Sequence, residues 1–299
     1  MRQFAAAIAP INIDILYSGL PRIPNLGEEV YSKQFDLQLG GGPTATIIAL
    51  SRLQVECEFG TFLSDDFMSQ FAKGVLEQNE VKYKNLYKGR EVPVLVTSIA
   101  SFPEDRFFIT YCPEWRQFSC RDEELYTIFS GSKVCRGFEG HNELLQKLRS
   151  EGTKIVYDVA WSDDLNVEGL KEILKHVEVF TPNDKEAMKM TGKTSVEEAL
   201  EVISNYVEQP IIKIGKGGCI TKIGNKVIHV PTLDVFKAVD TTGAGDNFLA
   251  GIMYGMMQDW NLEKCMKMGN IVGSYSTTEL GCSKAHLTLD KAMKFMDLY

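Results

Sequence analysis

The sequence predicts an α/β fold with a central, mostly parallel sheet and a small separate β-sheet. Three observations predict it. Near-continuous apolar stretches at 4–9, 153–160, 177–181 and 210–214 alternate with helical segments, as strands buried on both faces of a sheet do. β-rich stretches at 28–38, 83–87, 92–101 and 105–111 are not separated by long helices in that way and can form a second, smaller sheet. Finally, Asp240-Thr241-Thr242-Gly243-Ala244-Gly245-Asp246 sets a glycine turn at the mouth of an apolar helix, a position suited to anions.

Composition narrows the function. The 299 residues permit one large α/β domain or two smaller ones and are 44% hydrophobic, enough for a substantial core. The net charge of −8 argues against a general nucleic-acid binder. No apolar run is long enough to cross a membrane, and the short apolar start reads as a first strand rather than a signal peptide. Seven cysteines without a Cys-x-x-Cys pair read as reduced thiols, which places the protein in the cytoplasm. The scattered histidines give no zinc pattern.

In chain order, strand 4–9 leads to Asn12-Ile13-Asp14, read as a ligand loop at a strand end. Gly40-Gly41-Gly42-Pro43-Thr44 opens a helix to about Leu53, with Pro43 suited to a first turn. Strand 55–63 ends in Ser64-Asp65-Asp66, which caps a helix to about Gln78. Phe102-Pro103-Glu104-Asp105 is the turn between two strands of the small sheet. Helices are expected at 121–130, 141–151, 166–176, 184–191, 195–208, 244–258, 261–280 and 288–297, with a strand at 132–136 and a hairpin around Gly224-Asn225.

Several segments carry chemistry as well as structure. Asp246 is badly placed to bind an anion but well placed as a base for a hydroxyl held beside one. Asn183 and Glu186 follow a strand; they can form a capping box, or they can face a hydrated magnesium ion. Lys213-Ile214-Gly215-Lys216-Gly217-Gly218 suits a strand-to-hairpin turn, or a backbone surface beside a nucleotide. Asn12, Asp14 and the three glycines at 40–42 can take sugar hydroxyls or be ordinary loop residues, and Arg106 can face solvent or reach a ligand. Gly192-Lys193-Thr194 lacks the earlier glycine of a P-loop, since Ala187 stands there. Gly243-Ala244-Gly245 lacks the third glycine of a dinucleotide fingerprint, since Phe248 stands there.

Together these segments resemble the ribokinase-like carbohydrate kinases, the PfkB family, over nearly the whole chain. The resemblance rests on Asp240 to Asp246 before an apolar helix, on Asn183 and Glu186, on Gly41-Gly42, on Asp14, and on the Phe59-to-Phe67 segment. It implies a ribokinase-like three-layer fold forming one domain over 1–299, with a β lid from about 15–39 and 86–111. It also implies ATP- and Mg2+-dependent phosphorylation of a hydroxymethyl group on a sugar or related molecule. Asp246 would be the base; Gly243, Ala244 and Gly245, with the Asp246 amide, the anion hole. Asn183 and Glu186 would organise magnesium through water. Lys213, Gly215, Asn183 and Thr241 would lie beside ATP, and Asp240 is a candidate ligand for K+. Asn12, Asp14, Gly41, Gly42, Thr46 and Arg106 would join Asp246 around the substrate.

Two positions depart from the family's sugar kinases. Thr46 stands where many have asparagine, and Pro43 where ribokinases have lysine. The expected acceptor is therefore a hexose, a modified sugar or sugar acid, or a nucleoside. A nucleoside kinase is the nearest rival function, and a catalytically silent ligand-binding regulator a more distant one. The lid strands also offer a surface for a homodimer.

Overall fold

The computed structural model describes residues 3–89, 91–102, 106–114 and 118–299. Most of the turn expected at 102–105 lies outside them. Thirteen strands and ten helices follow one another among the described residues. The large sheet has nine strands. Its first is β1 (Ala5–Ile8), flanked by β4 (Cys57–Thr61) and edge strand β5 (Lys82–Asn85) on one side. On the other side come β8 (Val134–Arg136), β9 (Lys154–Tyr157), β10 (Val179–Phe180) and β11 (Gln209–Lys213). These seven strands run parallel, and the antiparallel hairpin β12 (Cys219–Ile223) and β13 (Lys226–Val230) extends the edge. Buried side chains form two apolar clusters, with successive residues of one strand falling in different clusters: Ala5 and Ala7 in one, Ala6 in the other. That alternation is what a sheet covered by helices on both faces requires.

From β1 the chain moves outward to β4 and β5, then crosses to β8 and moves outward the other way. The reversal lies between β1 and β8. In open α/β sheets the crevice beyond the carboxyl ends of the strands at such a reversal is where ligands bind.

A separate four-stranded sheet, built from segments expected to form a lid, has the order β3 (Gln34–Gly40), β2 (Asn12–Ser18), β6 (Leu95–Ser101), β7 (Arg106–Tyr111). Here the structure corrects two expectations. Asn12-Ile13-Asp14 is the start of β2 rather than a loop, hydrogen-bonded to β3 and β6 on its two sides. Residues 82–85 belong to the large sheet, and residues 28–33 form no strand.

Three predicted helices are markedly shorter than expected: the one at 195–208 is α7 (Val196–Ile203), and the other two have a local reason. Between 166 and 176 only α5 (Lys171–Leu174) is helical, because the Asn166 side chain accepts from Gly169 N at 2.8 Å and holds a turn instead. The helix expected at 261–280 is α9 (Leu262–Ser276). Beyond it the Thr277 carbonyl accepts from the amides of Val239 and Asp240, so this end braces the loop that precedes the turn at 243–246. No helix of the described residues is long and apolar enough to cross a membrane.

Candidate active site

Four strands of the large sheet deliver a polar residue at or just beyond their carboxyl ends. Arg136 closes β8, Asp158 follows β9, Asn183 follows β10, and Lys213 closes β11. Facing them is the amino end of α8 (Ala244–Met257), an almost wholly buried helix. The lid and the first turn of α1 (Gly42–Arg52) supply the remaining wall.

One end of this cleft is built on backbone. Gly243 is the N-cap of α8 at φ 71, and a Cβ there would lie 2.2 Å from the Cys282 Cβ. Only glycine meets both conditions without strain. The Ala244 amide is spent on the Thr241 carbonyl at 3.2 Å. Among the described residues the amides of Gly243, Gly245 and Asp246 have no hydrogen-bond partner within the protein, and they would be the donors left for an anion. Asn247 Nδ2 donates to the carbonyls of Gly243 and Cys282, both at 2.9 Å, and so pins the turn.

Lys213 lies directly behind this turn: a Cβ on Gly245 would come within 2.8 Å of its ammonium. The ammonium donates to both oxygens of Asp158 at 2.9 Å. Burial nevertheless pushes the Asp158 carboxyl upward, against the pull of Lys213, and the nearby Asp246 adds to the rise. Asn183 and Glu186 do form the capping box. Glu186 N donates to Asn183 Oδ1 at 2.9 Å and Asn183 N to Glu186 Oε2 at 2.8 Å. Glu186 is buried, which raises its pKa; the Asn183 amide opposes that, and Asp158 and Asp246 reinforce it. The three carboxylates thus repel one another across the cleft. No group of three or more His, Cys, Asp or Glu side chains that could hold a metal ion is found among the described residues.

The other end is built on side chains from distant elements. Asn12 Nδ2 donates to Asp14 Oδ1 at 2.6 Å, and Thr97 Oγ1 donates to Asn12 Oδ1 at 3.0 Å. Burial drives the Asp14 carboxyl up to about 6; the Asn12 bond works against this and the charge on Asp240 adds to it. The glycine against Asp14 is Gly40, where a Cβ would stand 2.3 Å from Oδ2. Gly41 lies against Asn12 and Gly42 against Asp246, where a Cβ would be 2.3 Å from Oδ1.

Three expectations change. Thr46 is fully buried and bonded within the protein, so it is not a direct substrate ligand. Arg106, on β7, spans from the lid to the anion loop. Its Nη1 donates to Asp240 Oδ1 at 2.7 Å and to Thr242 Oγ1 at 2.8 Å. Asp240 also accepts from the amides of Thr242 and Gly281, each at 2.9 Å. Its carboxyl is held below the usual range: burial raises it, but these amides, the Thr242 hydroxyl and Arg106 outweigh burial. With both oxygens engaged and a guanidinium on one of them, Asp240 does not fit the role of a K+ ligand. It is a brace for the loop. Arg136, Asp158, Thr97 and Asn247 belong to the site and were not singled out from the sequence. For Arg136 and Asp158 a signal existed: a charged residue ending an apolar strand of a parallel sheet.

Comparison with known proteins bears on the family and the fold. The chain is 25% identical over 290 residues to probable fructokinase-2 of Arabidopsis thaliana, with 87% of each chain covered. Its fold matches that of Arabidopsis thaliana ribokinase complexed with ribose and ATP, at a TM-score of 0.81 and 19% identity, over 99% of both chains. A nucleoside kinase of Methanocaldococcus jannaschii, an archaeal member of the ribokinase family, matches at 0.79 and 19% identity, over 100% of this chain and 99% of that one. The pattern of the pfkB family of carbohydrate kinases fits residues 11–288, and this chain, an enzyme of the phosphotransferase class, belongs to that family.

Proposed function

We propose that this protein transfers the γ-phosphoryl group of ATP to a hydroxymethyl group of a small carbohydrate, a sugar or sugar acid. The observation that carries the reading is the place of Asp246. Its carboxylate stands in the first turn of α8, beside the open amides of Gly245 and Asp246, and faces Gly42 and the Arg136 guanidinium at the cleft floor. A hydroxyl held against that carboxylate lies next to the anion site.

In the proposed step the acceptor oxygen forms a bond to the γ-phosphorus while the bond to the β,γ-bridging oxygen breaks. The acceptor's proton passes to Asp246, and the products are a phosphate monoester and ADP. The amides of Gly245 and Asp246 meet charge on the moving group, and Lys213 stands behind them. Gly215 and Thr241 flank the nucleotide side of the cleft. Asn12 and Asp14 take acceptor hydroxyls, and Arg106 ties the lid to the anion loop, which helps exclude water. The crowded carboxylates Asp158, Glu186 and Asp246 suit a hydrated Mg2+, with Asn183 and Glu186 beside it. When bound, that ion would neutralise phosphate charge.

The exposed side chains Phe35, Phe108, Ile109 and Tyr111 on lid strands support a homodimer through the lid. A single monomeric mass at micromolar protein contradicts it. The catalytic reading is tested by ADP release over a panel of sugars, sugar acids and nucleosides. Turnover with a sugar or sugar acid supports it, turnover with nucleosides alone establishes the nucleoside reading, and ligand binding without any ADP release contradicts both.

A further inference from the structure

Arg136 is a charged site residue to which the proposed step gives no part. It ends β8, next to the reversal in strand order, and its side chain is only 11% exposed. Its Nη1 donates to Asp246 Oδ1 at 2.9 Å and to Thr46 Oγ1 at 2.8 Å. The Thr46 hydroxyl is fully buried, 3.1 Å from the Gly42 carbonyl and 3.0 Å from the Asp246 carbonyl. The guanidinium is therefore anchored to the first turns of both α1 and α8, the two helix starts that meet at the cleft.

Charge makes this placement consequential. Asp246 shares the cleft with Asp158 and Glu186, and Lys213 is committed to both oxygens of Asp158. Arg136 is the cation that directly contacts the proposed base. By taking Oδ1 it leaves Oδ2 for an acceptor hydroxyl, and with one oxygen held the carboxylate has one orientation.

We propose that Arg136, seated by Thr46, is a positioning residue for phosphoryl transfer: it fixes the orientation of Asp246 and offsets its charge while the carboxylate awaits the acceptor's proton. The proposal rests on Asp246 acting as the base. It also explains position 46, since a short threonine both leaves room for the guanidinium and accepts its hydrogen bond.

The test is steady-state kinetics of Arg136→Gln, Arg136→Lys and Thr46→Val with a good acceptor, with ATP affinity and thermal unfolding measured on the same proteins. Arg136→Gln is expected to lower kcat about 100-fold, with KM for ATP within about twofold. Arg136→Lys is expected to recover part of the loss, since a lysine restores the charge but not the two-point anchoring. Thr46→Val is expected to lower kcat about tenfold, having removed one anchor. A kcat within threefold of wild type in Arg136→Gln, or a loss confined to the acceptor KM, overturns the proposal. If Arg136→Gln does not fold, an unchanged kcat in Thr46→Val overturns it equally. Failure of the kinase reading is distinct: there the wild type itself releases no ADP with any acceptor, and the positioning role falls with it.

Discussion

The two ends of the cleft are made differently. At the phosphate end each part is local: the Gly243-to-Asp246 turn, the Asn183–Glu186 capping box, and Lys213 at the close of its strand. At the proposed acceptor end most partners are far apart in sequence. Arg136 reaches Thr46 and Asp246 across 90 and 110 positions, and Arg106 reaches Asp240 across 134. Phosphate is bound largely by main chain, whose geometry a few residues can dictate. An acceptor is distinguished by side chains, which only the folded chain brings together. The phosphate end is thus the more constrained of the two, and substitutions should separate them.

The largest effect is expected at the boundary. Asp246→Asn removes the proton acceptor and should lower kcat about a thousandfold or more while ATP still binds. Gly243→Ala comes next. The added methyl meets Cys282 at 2.2 Å and the residue must hold φ 71, so both the turn and the fold suffer. Its kcat should fall about 100-fold or more, with a lower Tm by differential scanning fluorimetry.

Lys213→Met should destabilise the protein by about 3 kcal/mol, because it strands the buried Asp158 carboxylate. Adding Asp158→Asn should restore most of that stability in denaturant unfolding. Failure of the second change to compensate would show that the pair is not coupled as drawn.

At the acceptor end the sign reverses. Burial raises Asp14 to about 6, so its ionised form opposes folding. The stability this carboxyl contributes is present below its unfolded value, near 3.8, and is lost as pH rises through about 6. Asp14→Asn should therefore raise stability at pH 8 by up to about 3 kcal/mol, with no gain at pH 3, while weakening acceptor binding. Acceptor KM in the wild type should rise as pH falls through about 6, where the Asp14 carboxylate takes up its proton. The smallest effect is expected from Arg106→Gln, on the half-exposed lid contact. KM for the acceptor should rise about threefold with little change in stability.

The same contrast explains what was legible in the sequence. The parallel sheet could be read from continuous apolar strands, and the anion turn from glycines before an apolar helix. The capping box at Asn183 was readable because both of its members lie within four residues. By contrast, Thr46 was taken for a substrate ligand because nothing near it in sequence reveals that Arg136 fills the space above it. Asp240 suggested a cation ligand because its partners, Arg106 and Gly281, come from the lid and from the loop after α9. Asn12-Ile13-Asp14 reads as a ligand loop because it follows the end of the first apolar strand, and Asn12 and Asp14 are themselves poor strand formers. Pairing with β3 and β6 on both sides overrides that propensity.

The central claim is that one cleft holds an anion site and a proton acceptor side by side, with Asp246 as the acceptor. The direct measurement is the single-turnover rate of phosphoryl transfer in wild type and Asp246→Asn at saturating ATP and acceptor, with ATP affinity determined for both. The account predicts a rate at least about a thousandfold lower in the variant with ATP affinity within about threefold. A variant that transfers phosphate at close to the wild-type rate would contradict it.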